Sequence, residues 1–398
     1  MDVVSTLRKN SLTREIINMT HRPGSLARFF CAISLLCSLA SEGSDSLMTY
    51  FNHGSHNHYV EPYRHIERDG DNFEAVVIAA MAPARKRVWV AVHEFNLPNI
   101  ARALVAKKEA GIDVRVIVEN TYNTLYSEYV PNRSSQLDLA QNEKYAEFLK
   151  LADINHDGTV TKEEMLQMDA LYILKQAKIP VIDDTADGSQ GSGLMHHKFM
   201  IVDDKLLLAS SANFTMSCFF GDMGGSDTRG NQNAMMIFND AQVNALFAQE
   251  FLIMWGGNNP NGAGPDPRFG VQKPVRPPRT ITLNDGTRVT IQFSPYGRAT
   301  PWEETTNGLI GKTLSEAQAS VHFMLFVFSE QNLADIMEKD HNKGVEIEGL
   351  IDHNFAYRYY SELLDMMGLQ MLNIDNCEYS PKNHPWNNPI YSFSRRHS

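Results

Sequence analysis

Long apolar runs are missing from this sequence. Its most apolar stretch, Phe29–Ala40, has 12 residues, and a bilayer span needs roughly 20, so no segment reads as transmembrane. Positive charge is in deficit: 36 Lys and Arg stand against 47 Asp and Glu, a formal net charge of −11. Residues 1–40 carry +3, so the remainder carries −14. An acidic body argues against strong non-specific nucleic-acid binding, which runs on phosphate neutralisation, but it leaves room for a local basic groove. Cysteine is scarce. Of four, Cys31 and Cys37 lie in the apolar stretch, and Cys218 and Cys377 stand far apart. No spacing suits a cysteine metal site, and nothing in the sequence supports a disulfide between the last two. With 43% hydrophobic and 21% charged residues, the 398-residue chain reads as globular and long enough for two domains.

Phe29–Ala40 follows several basic residues and ends in the small residues Ser38-Leu39-Ala40. Residues 1–40 therefore read as a secretory signal, with a secreted or periplasmic location as the expectation. The plainer alternative is a buried N-terminal helix. Beyond Tyr59 the pattern turns regular. Glu74–Ala82 and Asn99–Ala110 carry helical periodicity, and Arg87–His93 and Val114–Glu119 are β-branched or apolar runs. Phe199–Val202, Leu206–Ala209 and Ala234–Phe238 read as strands, and Ala241–Trp255 as a helix. Strands alternating with helices predict an α/β layered domain over 59–258. Residues 259–279 are rich in Pro, Gly and Asn and read as a linker. The pattern then begins again over 280–390: helix 305–319, strand 321–328, helix 330–342, strand 345–352. An offset of 233 residues superposes the halves and sets Glu119 opposite Asp352. Two tandem repeats are expected, the second incomplete.

The chemistry concentrates in the run MHHKFMIVDD. His196 and Lys198 are separated by one residue, Asp203 follows, and Ser211-Ala212-Asn213 comes after the next strand. Residues i and i+2 of a strand share a face, so His196 and Lys198 would look into one pocket. A histidine with a pKa near ~6.5 is partly neutral at physiological pH and can attack phosphorus. The lysine is a point charge suited to a phosphoryl oxygen, and Asn213 can add a hydrogen bond there, which together would stabilise transition-state charge. His197 points the other way and reads as a packed histidine. A lone H-x-K means little, and incidental histidines on a strand are the plain alternative.

The whole spacing resembles the signature of the phospholipase D superfamily, over most of residues 59–258. The resemblance implies a layered α-β-α fold with a mixed sheet, and phosphodiester chemistry through a phosphohistidine on His196. It also implies a second histidine that protonates the leaving alcohol, and no catalytic metal. Asp203 would be a supporting residue, holding the loop or orienting a neighbour. Two positions depart from the family pattern: Ser210 stands where a glycine is usual, and Asn233 stands where members often have an acid that would support the histidine. The family uses two such motifs. Extrapolating the repeat puts the second histidine near His397, but no lysine, aspartate or asparagine turn follows it. A homodimer in which His196 of each copy faces the other would supply the missing half. Phospholipid and nucleic-acid phosphodiesters both remain open as substrates, with the acidic balance favouring phospholipid over an endonuclease role. The competing class is a catalytically weak calcium-binding half-enzyme.

That class rests on the absent second motif and on Asp153–Glu164 (DINHDGTVTKEE), within an insertion over 143–174 whose flanks, Glu143–Leu151 and Lys162–Leu174, read as helices. The loop matches an EF-hand at each diagnostic position. Asp153, Asn155 and Asp157 supply oxygens, Gly158 makes the turn, and Thr159 offers its carbonyl. Thr161 acts at the ninth position and Glu164 closes the set. A hydrated Asp/Asn turn is the plain alternative. Calcium is the expected ion, in a structural or regulatory role.

Overall fold

The chain divides into two units, Met1–Gly43 and Ser44–Ser398. In the computed structural model the described residues all lie in the second: 46–126, 142, 145–146, 148–191, 194–221, 230–370, 372–373, 376–379 and 383–392. The signal-like stretch and His397 lie outside them, as does part of the first helix expected in the insertion.

The strands are β1 (Leu47–Phe51), β2 (His58–Val60), β3 (Glu67–Asp69), β4 (Arg87–Val92), β5 (Asp113–Val118), β6 (Val181–Asp183), β7 (Lys198–Val202), β8 (Leu206–Ser210), β9 (Ala234–Asn239), β10 (Arg279–Thr282), β11 (Arg288–Ile291), β12 (Ser320–Leu325) and β13 (Glu346–Ile351). The main helices are α1 (Phe73–Met81), α2 (Pro98–Glu109), α3 (Lys162–Met168), α4 (Ala170–Gln176), α5 (Ala241–Trp255), α6 (Thr306–Ser315) and α7 (Gln331–His341). The seven-stranded sheet runs β1-β9-β8-β7-β4-β5-β6. The pairs β4–β5 and β5–β6 are parallel and the others antiparallel. The expected α/β layering and mixed sheet are both present.

Residue alternation builds the layers, because successive strand side chains point to opposite faces. Val88, Val90, Val92, Val114, Val116 and Val118 turn to one face, where they pack with Phe73 and Val77 of α1, Ile100 and Leu104 of α2, and Leu171 and Leu174 of α4. Trp89, Ala91, Ile117, Phe199 and Ile201 turn to the other, against Val243, Phe251, Met254 and Trp255 of α5. Both faces are covered, so these strands read as continuous apolar runs. The helix expected over 162–174 is broken. Asp169 stands between α3 and α4 in extended conformation, and its side chain accepts from the Tyr172 amide as a new N-cap.

The repeat is visible as geometry. α6, β12, α7 and β13 each begin 233 residues after α1, β4, α2 and β5. Gly111 and Gly344, at φ +82° and +94°, turn the chain from helix to strand in each half. Coverage differs. β12 and β13 form a two-stranded sheet, among the described residues. Met324 is 48% and Leu350 63% exposed, whereas their counterparts Ala91 and Ile117 are fully buried.

Residues 259–279 depart from the linker expectation. Phe269 is buried against α5, and Ile281 and Leu283 of the β10–β11 hairpin join the same core. Composition marked this segment as irregular, but its few apolar residues anchor it to the first repeat. Cys218 and Cys377 are free thiols, the first buried and the second exposed.

Asp203 lies apart from His196. It sits at φ +53° in the turn after β7, at the opposite end of that strand from Lys198, so it takes no place beside His196. Its carboxylate accepts the amides of Arg85, Lys86 and Arg87 at 2.7–3.1 Å and pins the start of β4. Burial alone would raise its pKa, but those amides outweigh it and hold the carboxyl below the usual range. Replacing Asp203 by Ala should lower stability in urea titrations by about 1–3 kcal/mol at neutral pH. Because the folded pKa is depressed, the difference should shrink as pH falls through it.

Candidate active site

The two central strands of the sheet bring the sequence motif to one edge. Val92 pairs with Lys198, and one step on, the His93 amide donates to the His197 carbonyl at 2.9 Å. Next to β4, the Glu119 amide donates to the His93 carbonyl at 3.1 Å. β8 runs back beside β7, so the turn after Ser210 returns to the same edge. There the Phe214 amide donates to the Glu94 carbonyl and the Asn96 amide to the Phe214 carbonyl. His93, Glu94, Glu119, His196, Lys198 and Asn213 thus gather where β4 and β5 end and β7 begins.

His196 precedes the strand proper and is exposed, while Lys198 is 8% exposed. The Lys198 ammonium donates to the His196 carbonyl at 3.0 Å. The protein packed around the imidazole, then the nearby charge of Lys198, lowers the His196 pKa to about 4. Burial lowers that of Lys198 to about 8, with Cys218 and Glu94 opposing. At neutral pH the arrangement therefore holds a neutral imidazole beside a largely charged amine. The His196 ring makes no hydrogen bond among the described residues. It meets the His93 ring edge to face, with centroids 4.8 Å apart. The Asn213 Oδ1 is buried and makes no hydrogen bond among the described residues.

The departures at Ser210 and Asn233 now have local accounts. Ser210 lies in β8 without positive φ. Its hydroxyl donates to the Ala234 carbonyl and accepts the Ala212 amide, so a glycine is not required there. Asn233 accepts from the Ser211 hydroxyl and donates to the carbonyls of Cys218 and Asn231. Its amide is used in knitting loops together and does not reach His196.

His197 faces away, as its parity requires. Its Nε2 lies 2.8 Å from Glu250 Oε1 on α5. Glu250 is fully buried and also accepts from Lys273 at 2.6 Å and from Arg276. Lys273 donates as well to the Ser294 carbonyl at 2.6 Å. Burial pushes the Glu250 pKa up, but His197 and Lys273 outweigh it and hold it at about 2. The sequence reading missed this cluster. The available signal was an acid on the apolar face of a helix, which must find a partner when buried. A cavity of about 620 Å³, lined by Arg87, Asp204 and residues of α5, opens at the Asp203 end, away from His196.

The insertion's loop has oxygen donors suited to a hard cation. Asp153 accepts the amides of Asp157 and Gly158, and Asp157 accepts the amide and the hydroxyl of Thr159. Glu164 accepts from Thr161, forming a capping box at the start of α3, and reaches back to the Ile154 and Asn155 amides. These bonds lower the pKa values of Asp157 and Glu164, which favours the ionised form a cation needs. Gly158, at φ +85°, makes the turn. No three His, Cys, Asp or Glu side chains are gathered at one metal-sized point among the described residues. The loop is closed by its own amides.

Residues 77–255 match the family described as cardiolipin synthase, PLD-like domain. Among curated proteins, the mitochondrial cardiolipin hydrolase of Canis lupus familiaris is 25% identical over 191 residues, 48% of this chain and 54% of the relative. That of Mus musculus is 25% identical over 179 residues, 45% of this chain and 56% of the relative. The match spans about half the length of these relatives. Among solved structures, Nuc of Salmonella typhimurium, a phospholipase D family member, aligns with TM-score 0.29 and 18% identity, over 54% of this chain and 96% of that one. NucT of Helicobacter pylori aligns with TM-score 0.28 and 16% identity, over 53% and 97%.

Glu250 is the group whose loss should matter most for stability in residues 77–255. Glu250→Gln leaves Lys273 and Arg276 facing no carboxylate, and should cost about 3–5 kcal/mol in denaturant unfolding. The wild type should lose this contribution as pH falls from the ordinary carboxylate range toward about 2. The variant's stability should lack that slope.

Proposed function

We propose that this chain is a phosphodiester hydrolase acting on phospholipid through a phosphohistidine at His196. The observation that carries the reading is the pairing of a neutral, exposed imidazole with the buried, largely charged Lys198. His196 attacks phosphorus. Lys198 takes the developing charge on the non-bridging oxygens, and the side-chain N–H of Asn213 is the further donor proposed there. The leaving alcohol departs with a proton from a second histidine, supplied by a partner copy in a homodimer. Water then attacks the phosphohistidine, the P–N bond breaks, and His196 returns to its neutral form. Asp203 acts at a distance, by fixing the start of β4. The match to a cardiolipin hydrolase supports a lipid substrate, as does the acidic balance of the chain.

His196→Ala should abolish the acid-labile phosphoryl adduct and reduce turnover by about 10³-fold or more. Choline release from phosphatidylcholine vesicles, set beside nicking of plasmid DNA, tests the substrate class; nicking alone would move the assignment to nucleic acid. The kcat/KM profile should rise as His196 loses its proton near pH 4 and fall as Lys198 loses its own near pH 8. A single limb centred near pH 6.5 would contradict the site as described.

Calcium is proposed as the ion of the Asp153–Glu164 loop, where it would order the insertion beside α2. A secreted or periplasmic location, inferred from Phe29–Ala40, would expose this loop to calcium near millimolar. Calorimetry should give a Kd on the order of 10⁻⁴–10⁻³ M, weakened at least about tenfold in Glu164→Gln. Equal heats from the two proteins would remove the assignment.

A further inference from the structure

The motif leaves one problem open: what orients the His196 ring. The position expected to carry a supporting acid holds Asn233, and its amide is spent on Ser211, Cys218 and Asn231. No hydrogen bond from a described residue fixes the imidazole. An unfixed ring would rotate about its side-chain bonds and present its nitrogens in several directions. Misplacing a reacting atom by 1 Å can cost about 10²-fold in rate.

The group in contact with the ring is His93. Its backbone is held on both sides, donating to the His197 carbonyl at 2.9 Å and accepting the Glu119 amide at 3.1 Å. Its side chain is 7% exposed. The Tyr122 ring lies edge to face against it, with centroids 4.7 Å apart, and the His196 ring makes the same type of contact at 4.8 Å. Edge-to-face pairs have a preferred mutual orientation, set by the ring quadrupoles and by shape. A ring fixed by two strands and by a third ring is thus a firm surface for the nucleophile to rest on.

We propose that His93 is a positioning residue for His196, its buried ring setting the orientation that a carboxylate would otherwise set by a hydrogen bond. The inference rests on the nucleophilic role of His196 proposed above. It assigns His93 a packing role and no proton transfer. The ring is required and its nitrogens are not.

Three variants separate these roles. His93→Ala removes the ring, His93→Leu fills much of the space without one, and His93→Phe keeps the ring and discards the nitrogens. Ala and Leu should lower kcat by about 10²-fold with KM changed less than about twofold, and Phe should restore most of kcat. Side-chain NMR of His196 gives a readout independent of turnover. Its ring protons should show ring-current shifts and contacts to residue 93 in wild type and Phe, and averaged shifts in Leu. If the Ala variant does not fold, the Leu–Phe comparison decides. Equal loss of kcat in Phe and Leu would overturn the proposal, since the nitrogens would then be needed. An unchanged kcat in a folded Leu variant would overturn it too, as would His196 resonances indifferent to residue 93. A wild type with ordered His196 resonances but no turnover and no adduct would instead defeat the proposed function and leave the positioning contact standing.

Discussion

The antiparallel pairing of β4 with β7 is the constraint on which the rest of this molecule depends. Its register sets Val92 opposite Lys198 and Val88 opposite Val202. A slip of one residue would turn each side chain of β7 to the other face. Lys198 would then leave its pocket, and Phe199 would leave the α5 core. The pairing is secured at both ends by different chemistry. At one end Asp203 accepts three successive amides at the start of β4. At the other, the His93 amide extends the ladder to His197. The same few residues that position the candidate chemistry also hold the centre of the sheet.

The alternation along His196-His197-Lys198 divides the site between two environments. Lys198 turns toward the loop face and loses solvent there, with Glu94 and Cys218 nearby. His197 turns to the α5 side and meets Glu250, which in turn holds Lys273 and Arg276. The peptide that carries the proposed nucleophile is therefore gripped from behind by a buried carboxylate, and that carboxylate also fastens the segment leading to the second repeat. A buried acid with several cationic neighbours is weak evidence for net stability. Its geometric effect is to fix residue 197, and hence the direction in which residue 196 leaves the sheet.

Much of this was legible in the sequence because it depends on local periodicity and short-range spacing. The strand runs, the α5 helix, the repeat offset and the His196–Lys198–Asn213 grouping are all of that kind. What was not legible depends on the third dimension. Asp203 belongs to the same linear motif, yet β7 separates it from Lys198 along its whole length, and which amides it holds is visible only in three dimensions. Glu250, Lys273 and Arg276 converge from a helix and an irregular segment whose composition suggested only a linker. His93 ends the strand expected over Arg87–His93, but only the pairing of β4 with β7 brings its ring to His196. The helix break at Asp169 was missed because the apolar pattern runs on across it, while the capping preference of the aspartate prevails locally.

The repeat shows how far a local sequence pattern can determine burial. Four elements of the second half begin in register with four of the first, so the unit encodes its own order of helix and strand. It does not encode its own burial. Val88 and Val90 gain one cover from α1 and α2, which the repeat supplies again as α6 and α7. The opposite face of β4 and β5 is covered by α5 and the hairpin, and the free edge of β4 is closed by β7. These belong to the first half. Their counterparts on β12 and β13 are not found among the described residues, and Met324 and Leu350 stand exposed where Ala91 and Ile117 are buried. The lowered pKa values of His196 and Lys198 follow from the same difference. Burial is the leading cause of both shifts, and burial at this edge comes from strands and turns assembled around β4. The chemistry attributed to the motif is thus a property of the completed first layer, of which the ten residues MHHKFMIVDD supply only the reacting groups.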